Sequence, residues 1–151
     1  MIDRFTQGKL TWLDVINPTQ EEIHEIFAEC DISMVLANDL SSMTPRSEVL
    51  GDKKSVKITL DYPIVRRTDI SHPHEIKFIA TKTHLVTVHF EEIEALHRFS
   101  KDFEVLSILK NTKTKATGAH LLLTLLDRLY QALDIKLDYI QSRLGDIEEG
   151  I

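Results

Sequence analysis

Two histidines and an aspartate that could bind a metal ion lie close together in the middle of the chain. Asp69, His72 and His74 lie around Pro73 in a polar segment that begins at Arg66. Imidazole and carboxylate groups are ligands for zinc-like metals, so a metal-dependent hydrolase is one alternative. An exposed polar loop is the simpler interpretation, and we favour it. Stoichiometric zinc binding that is lost on His72→Ala, together with turnover, would support the hydrolase.

The other histidines have no ligand partner nearby in the sequence. His84 and His89 fall on one predicted strand, five residues apart, so their side chains point to opposite faces of the sheet. His24, His97 and His120 each lie on a separate predicted helix. We therefore expect His89 to be a hydrogen-bonded residue at a strand end rather than a metal ligand.

The sequence lacks the common signatures of nucleotide binding and covalent catalysis. It contains no glycine-rich phosphate loop, no CxxC pair, no HExxH and no GxSxG. Its single cysteine, Cys30, excludes an internal disulfide framework. A formal net charge of −6 argues against a general nucleic-acid binder, because phosphate neutralisation needs clustered Lys and Arg. We therefore expect no enzyme, no organic cofactor and no nucleic-acid partner.

Acidic side chains in the last third of the chain are a further possible binding surface for cations. Carboxylate oxygens suit hard divalent ions such as Mg²⁺, which keep several of their waters. A charged helix face that is simply solvated is the simpler interpretation. The acidic residues are Asp127, Asp134, Asp138, Asp146, Glu148 and Glu149.

The predicted element that carries these acids is one long amphipathic helix. Apolar residues spaced by threes and fours predict a single stripe along it. A helix from Gly118 to Ile151 would be about 50 Å long, more than a compact domain of this size needs. We read Gly145 as a tolerated interior glycine, and we expect the chain to be a piece of a longer protein whose helix continues. The stripe comprises Leu122, Leu126, Leu129, Leu133, Leu137, Ile140, Leu144, Ile147 and Ile151.

Shorter elements precede this helix. The run from Lys9 to Ile16 predicts a strand, and Thr19 with Glu22 forms a capping box that begins a helix. The stretch MVLANDLSS predicts a second short helix that ends before Pro45.

The middle of the chain predicts antiparallel strands. Apolar and polar residues alternate over Val56–Leu60, as in a half-buried strand, and a shorter run near Val49 would pair with it. EIKFIA and HLVTVHF predict a hairpin around Thr81–Thr83. Apolar residues at helical spacing between Glu91 and Leu109 then predict helix. This order of strand, helices, strands and helices favours an α+β fold with a long C-terminal helix.

Four segments of the chain form a series of motifs. They are WLDVINPTQEEI near the start, LANDL, the hairpin EIKFIATKTHLVTVH, and LLLTLLDRLYQALDIKLDYIQSRLGDIEEGI. In order and spacing they resemble the CorA family of divalent-cation transporters. That family has W-[IL]-D-x-x-x-P-T-x-E-E, an E-D-[LI] helix, a strand ending in [LV]-[VI]-T-V-H, and L-L-x-x-L-[LI]-D leading into a long helix. The resemblance spans nearly the whole chain.

The resemblance implies a cytosolic domain in which helices flank a mixed β-sheet, an αβα sandwich. Residues 1–116 would form the core, and residues 117–151 would begin the helical stalk region, truncated before the transmembrane helices. Members of the family are homopentamers with two transmembrane helices per subunit and a G-M-N signature at the pore mouth. We therefore expect the domain at the cytoplasmic face of the cell membrane.

The resemblance also implies a regulatory divalent site at Asp39. In relatives that sense Mg²⁺, the matching aspartate faces an acidic residue on a neighbouring subunit's stalk, and an ion between them holds the pore closed. The stalk partner would lie beyond Ile151. Two departures from the family pattern are Asn38, where Glu is common, and Thr44-Pro45-Arg46, where Arg-Pro and a basic residue are common. They leave open which of Mg²⁺, Co²⁺, Ni²⁺ and Zn²⁺ is transported.

The function expected on these grounds is the regulatory and assembly domain of a CorA-like channel. Mg²⁺ or another divalent cation would be both its regulatory ligand and the transported ion. The alternative is a freestanding soluble α+β interaction module that oligomerises through the stripe of its long helix.

Overall fold

The computed structural model describes residues 1–37, 39–43, 47–63, 73–109 and 116–150, apart from the side chains at positions 34, 37 and 73. The strands in these residues are β1 (Ile2–Gln7), β2 (Leu10–Ile16), β3 (Glu48–Gly51), β4 (Val56–Pro63), β5 (Pro73–Ala80) and β6 (His84–His89). The helices are α1 (Gln20–Cys30), α2 (Met34–Ala37), α3 (Glu94–Leu109) and α4 (Gly118–Glu149).

The strands form one mixed sheet in the order β1-β2-β6-β5-β4-β3. Strands β2 and β6 are parallel neighbours, with Asp14 opposite Thr87, and the other pairs are antiparallel. The predicted β5–β6 hairpin and the predicted pairing of β3 with β4 are therefore confirmed. The parallel pair places the W-L-D segment and the T-V-H segment side by side, although they are far apart in sequence.

Helices cover both faces of the sheet, so the predicted αβα arrangement is confirmed. One face packs against α3 and α4 around Trp12 and Phe78, which are fully buried. The other face packs against α1 and α2 around Leu13, Ile26 and Val86. Because alternate residues of a strand point to opposite faces, each central strand contributes to both cores.

The N-terminal elements agree only in part with those predicted from the sequence. The capping box of Thr19 and Glu22 begins α1 as predicted, with each side chain bonded to the other's backbone N–H. Strand β1 was not predicted from the sequence. The predicted MVLANDLSS helix was too long, since α2 covers Met34–Ala37 and Asp39 has φ +74°. That dihedral lies in the left-handed region, where an α-helix cannot continue.

Two expectations of burial were also wrong. The alternation in β4 predicts one apolar buried face and one polar exposed face, but Lys57 and Thr59 are each only 1% exposed. The polar face of β4 is therefore covered as well. In α3 the helical spacing of Phe103, Leu106 and Leu109 predicts one buried stripe, but only Phe103 is buried and the two leucines are exposed.

The long helix α4 has two halves with different surroundings. It is 32 residues long, about 48 Å, and runs through Gly145 as predicted. Its first half buries Leu121, Leu122, Leu125 and Leu129 against the sheet and α3. Farther along, the apolar stripe is exposed, with Leu144 at 55%. In the described part of the chain, no helix has the length and apolar character that a membrane span requires.

Candidate functional site

Asp39 lies in a turn that follows α2, and its side chain is exposed. Its φ of +74° is uncommon for a residue with a side chain, although Asp and Asn adopt it more readily than most. The residue before it, Asn38, lies outside the described residues, as do Thr44, Pro45 and Arg46. The turn therefore presents the Asp39 carboxylate on the surface. The positive φ of Asp39 has to be stabilised by contacts with the rest of the domain.

Three contacts hold this turn, which comprises residues 39–42, against the domain. Leu40 is fully buried in the core between the sheet and α1. The Gln20 amide at the start of α1 donates a hydrogen bond to the Ser41 hydroxyl at 2.9 Å. The ammonium group of Lys77, on β5, donates to the backbone carbonyl groups of Asp39 and Ser42. The backbone position of Asp39 is thus fixed by the sheet and by α1 together.

The chemistry of the Asp39 carboxylate suits one ligand position of a hydrated divalent ion. Mg²⁺ prefers oxygen ligands and keeps several waters, so a single exposed carboxylate can contribute to such a site without forming it. Among the residues that the structure describes, no three His, Cys, Asp or Glu side chains are grouped to hold a metal. A site at Asp39 would need further ligands from water or from another subunit.

The histidine-rich segment is described only at its end. Asp69 and His72 lie outside the described residues. His74 lies on β5, where its Nε2 is 3.6 Å from a carboxylate oxygen of Glu91. Of Asp69, His72 and His74, the structure thus describes His74, which is paired with Glu91 in the segment between β6 and α3.

A buried polar network joins the residues of two sequence motifs. The Trp12 indole N–H donates to the Thr87 hydroxyl at 3.0 Å, and that hydroxyl donates to the Asp14 carboxylate at 2.5 Å. His89 Nε2 lies 3.0 Å from the same Asp14 oxygen, and His89 Nδ1 lies 2.6 Å from the backbone carbonyl oxygen of Glu91. The prediction that His89 is a hydrogen-bonded residue at a strand end is confirmed.

The geometry around His89 favours its charged form. Both ring nitrogens face oxygen acceptors, and only the imidazolium carries an N–H on each nitrogen. Burial lowers the pKa of His89, but the hydrogen bond and negative charge of Asp14, with the Glu91 carbonyl, outweigh burial and raise that pKa above its ordinary value. Sequence reasoning missed the partnership of His89 with Asp14. No sequence signal could have shown it, because only the fold places β2 and β6 side by side.

The network borders a cleft of about 430 Å³ between the sheet and α3. The cleft is mostly lined by acidic and apolar residues, and His89 and Asp14 lie in its wall. The titratable groups that share this wall are Asp3, Asp14, His89, Glu92, Glu94 and His97.

The three-layer architecture, with its mixed sheet and long helix, is the fold of CorA soluble domains. Residues 7–151 match the family described as CorA-like Mg²⁺ transporter protein, and the chain belongs to that family. No curated protein matches the sequence.

Several solved structures share the fold at low sequence identity. The full-length CmaX protein superposes with a TM-score of 0.76 and 15% identity, over 94% of this chain and 42% of that chain. The soluble domain of CorA from Methanocaldococcus jannaschii superposes with a TM-score of 0.72 and 19% identity, over 93% of this chain and 55% of that chain. The ZntB cytoplasmic domain from Vibrio parahaemolyticus RIMD 2210633 superposes with a TM-score of 0.68 and 14% identity, over 91% of this chain and 54% of that chain. This chain therefore spans about half the length of the structures it resembles.

Proposed function

We propose that this chain is the cytosolic regulatory and assembly domain of a CorA-like divalent metal ion channel. The observation that carries the proposal is the family match over residues 7–151. The transported ion would be Mg²⁺, with Co²⁺, Ni²⁺ and Zn²⁺ as further candidates. The domain would perform no catalysis, because its task is to convert ion concentration into a change of shape.

The proposed architecture divides the chain in two. Residues 1–116 form the core of the cytosolic domain, and residues 117–151 begin the helical stalk region that leads to the membrane. The full-length protein would be a homopentamer whose pore lies in a part absent from this chain. The exposed apolar stripe beyond Leu133 supports this division, because its half of α4 extends past the sheet with apolar side chains available for further helices.

The proposed sensing site is the Asp39 carboxylate together with an acidic residue of a neighbouring subunit. Two carboxylates at an interface repel each other until a divalent cation lies between them. When cytosolic Mg²⁺ falls and the ion dissociates, the repulsion loosens the ring and favours the open pore. The exposure of Asp39 and the fixed backbone of its turn support this role.

We expect Asp39→Asn to reduce the Mg²⁺ dependence of transport in the full-length protein reconstituted in lipid vesicles. The quantity to measure is the ratio of flux at low to flux at high Mg²⁺ on the domain side. It should fall by about fivefold or more, the lower range of allosteric coupling. Asparagine suits the test because it tolerates the left-handed conformation and removes only the charge.

A matched control is available in Asp31→Asn. Asp31 is also exposed and also has a positive φ, +52°, but it is paired with Lys54 at 2.9 Å. Its substitution should leave the flux ratio unchanged. Equal ratios for the Asp39 variant and the unmodified protein would refute the sensing role of Asp39.

The exposed stripe also supports a rival, a freestanding module that oligomerises through α4. The two proposals differ in what the natural gene encodes after the Ile151 codon. Two apolar spans of about 20 residues, joined by a loop with Gly-Met-Asn, would support the channel. A stop codon soon after Ile151 would favour the module, and Leu144→Glu should then dissociate its oligomer in sedimentation experiments.

A further inference from the structure

A lysine that is fully buried in the sheet contacts the turn that carries Asp39. Lys77 lies on β5 and has no exposed surface. Its strand neighbours Ile76 and Phe78 face α3 and α4, so Lys77 faces the opposite side of the sheet with Ile79. Lysine is rarely buried completely unless its charge is paired. The ammonium group of Lys77 must therefore have partners inside the protein.

Three oxygen atoms surround the ammonium group of Lys77, two as hydrogen-bond acceptors and one as an ion-pair partner. Two are the backbone carbonyl oxygens of Asp39 and Ser42, at the two ends of the turn. The third is a carboxylate oxygen of Glu75, 3.1 Å away on the same strand. The Phe90 ring, 5.8 Å from Nζ, closes another side of the group. One side chain thus joins both ends of the turn to the sheet.

This attachment is needed because the backbone of Asp39 is unfavourable by itself. A residue with a side chain persists at φ +74° only where the surroundings hold it. Leu40 fixes the middle of the turn in the core, and Lys77 fixes the carbonyl groups on both sides of Leu40. Without Lys77 these carbonyls would lose charge-assisted hydrogen bonds, which are the strong kind.

We propose that Lys77 is a positioning residue, which holds the Asp39 turn on the sheet and so presents the Asp39 carboxylate in place before any divalent ion binds. The proposal rests on the proposed function for the ion-binding role of Asp39. The attachment of the turn itself does not depend on that role.

The charge of Lys77 must be separated from its positioning effect. A lone ammonium beside the turn would repel a cation, but Glu75 lies next to it and offsets that charge. Replacing Lys77 alone by Met would leave an additional negative charge near the turn and would favour cation binding by electrostatics. The double variant Glu75→Gln with Lys77→Met removes both charges and leaves the net charge of the site unchanged. It also preserves the shapes of the side chains.

The test uses Mn²⁺ as the probe and amide NMR of the 151-residue chain as the readout. In the double variant, amide hydrogen exchange at residues 40–42 should accelerate by about tenfold, the effect of losing charge-assisted hydrogen bonds. The Mn²⁺ concentration that half-broadens these amides should rise by about the same factor. Unchanged exchange and unchanged broadening in a folded double variant would overturn the proposal.

Asp39→Asn separates this inference from the proposed function. If Asp39 is the ligand, that variant loses the Mn²⁺ broadening while the exchange rates at residues 40–42 stay as they are. If the broadening persists, the Asp39 carboxylate is not what holds Mn²⁺ on this chain, and the exchange rates of the double variant still decide whether Lys77 holds the turn.

A measurement on the unmodified protein covers the case in which the double variant does not fold. Ammonium protons that are buried and hydrogen-bonded exchange slowly with water, so the Lys77 Nζ protons should be detectable and should show nuclear Overhauser effects to residues 39 and 42. Rapid exchange of these protons, with no such effects, would overturn the proposal.

Discussion

Replacing Gly118 by alanine is expected to destabilise the domain by about 3 kcal/mol, at the upper end of the usual cost of overpacking. A Cβ at this position would lie 2.0 Å from the backbone oxygen of His84 and 2.3 Å from that of Thr81. Thr81 and His84 lie at the two ends of the connection between β5 and β6, which is closed by a Thr81 N–H···O His84 hydrogen bond of 2.9 Å. Neither the turn nor the first residue of α4 can move without breaking contacts.

Urea unfolding followed by circular dichroism measures this effect, and Gly145→Ala is its control. A Cβ on Gly145 would meet no atom within 4 Å, and the residue lies inside the same helix. Alanine should stabilise that position by roughly 0.5–1 kcal/mol, because glycine loses more backbone entropy in a helix. Opposite signs for the two substitutions are the expected result. A Gly118 variant as stable as the unmodified protein would show that α4 does not pack on this turn.

Replacing His89 by alanine is expected to cost about 3 kcal/mol, because it removes one member of a buried ion pair and leaves the other without its charged partner. Asp14 would keep its hydrogen bond from Thr87, but its carboxylate would lose the imidazolium 3.0 Å away. The Glu91 carbonyl would lose its donor as well. Thermal and urea unfolding at about pH 6, where the imidazolium form predominates, would measure the loss.

The same residue should make stability depend on pH with a definite sign. The folded-state pKa of His89 is raised above its ordinary value of about 6.5, so the folded protein binds this proton more tightly than the unfolded chain. The contribution of His89 to the free energy of unfolding is therefore complete below about pH 6.5, and it is lost as the pH rises through the folded-state pKa. The free energy of unfolding should decrease over that range in the unmodified protein. The decrease should be smaller in His89→Ala.

NMR gives an independent check, because a raised pKa predicts an N–H on both ring nitrogens of His89 at about pH 6. A neutral His89 ring under those conditions would contradict the assignment of its charge.

The sequence by itself determined the local elements with strong patterns. Spacings of three and four predicted α4, the capping box predicted the start of α1, and alternation predicted the β5–β6 hairpin. These signals are local because periodicity and capping depend on residues within a few positions of each other. The series of motifs also identified the family, which the match over residues 7–151 confirms.

Tertiary structure alone decided how the polar residues are used. The alternation in β4 showed that the strand has two faces, but it could not show that the polar face is covered and that Lys57 and Thr59 are buried. Strand β1 lies at the edge of the sheet, where its pairing with β2 depends on a neighbour rather than on its own pattern.

The partners of His89 and Lys77 could not be predicted from the sequence for the same physical reason. Asp14 and His89 are 75 residues apart, and Lys77 and Asp39 are 38 apart. The charge state of a buried group depends on the acceptors and charges within a few ångströms of it, whatever their distance along the chain. The fold determines which groups come that close, and so it determines that both ring nitrogens of His89 face acceptors and that Lys77 holds the turn of Asp39.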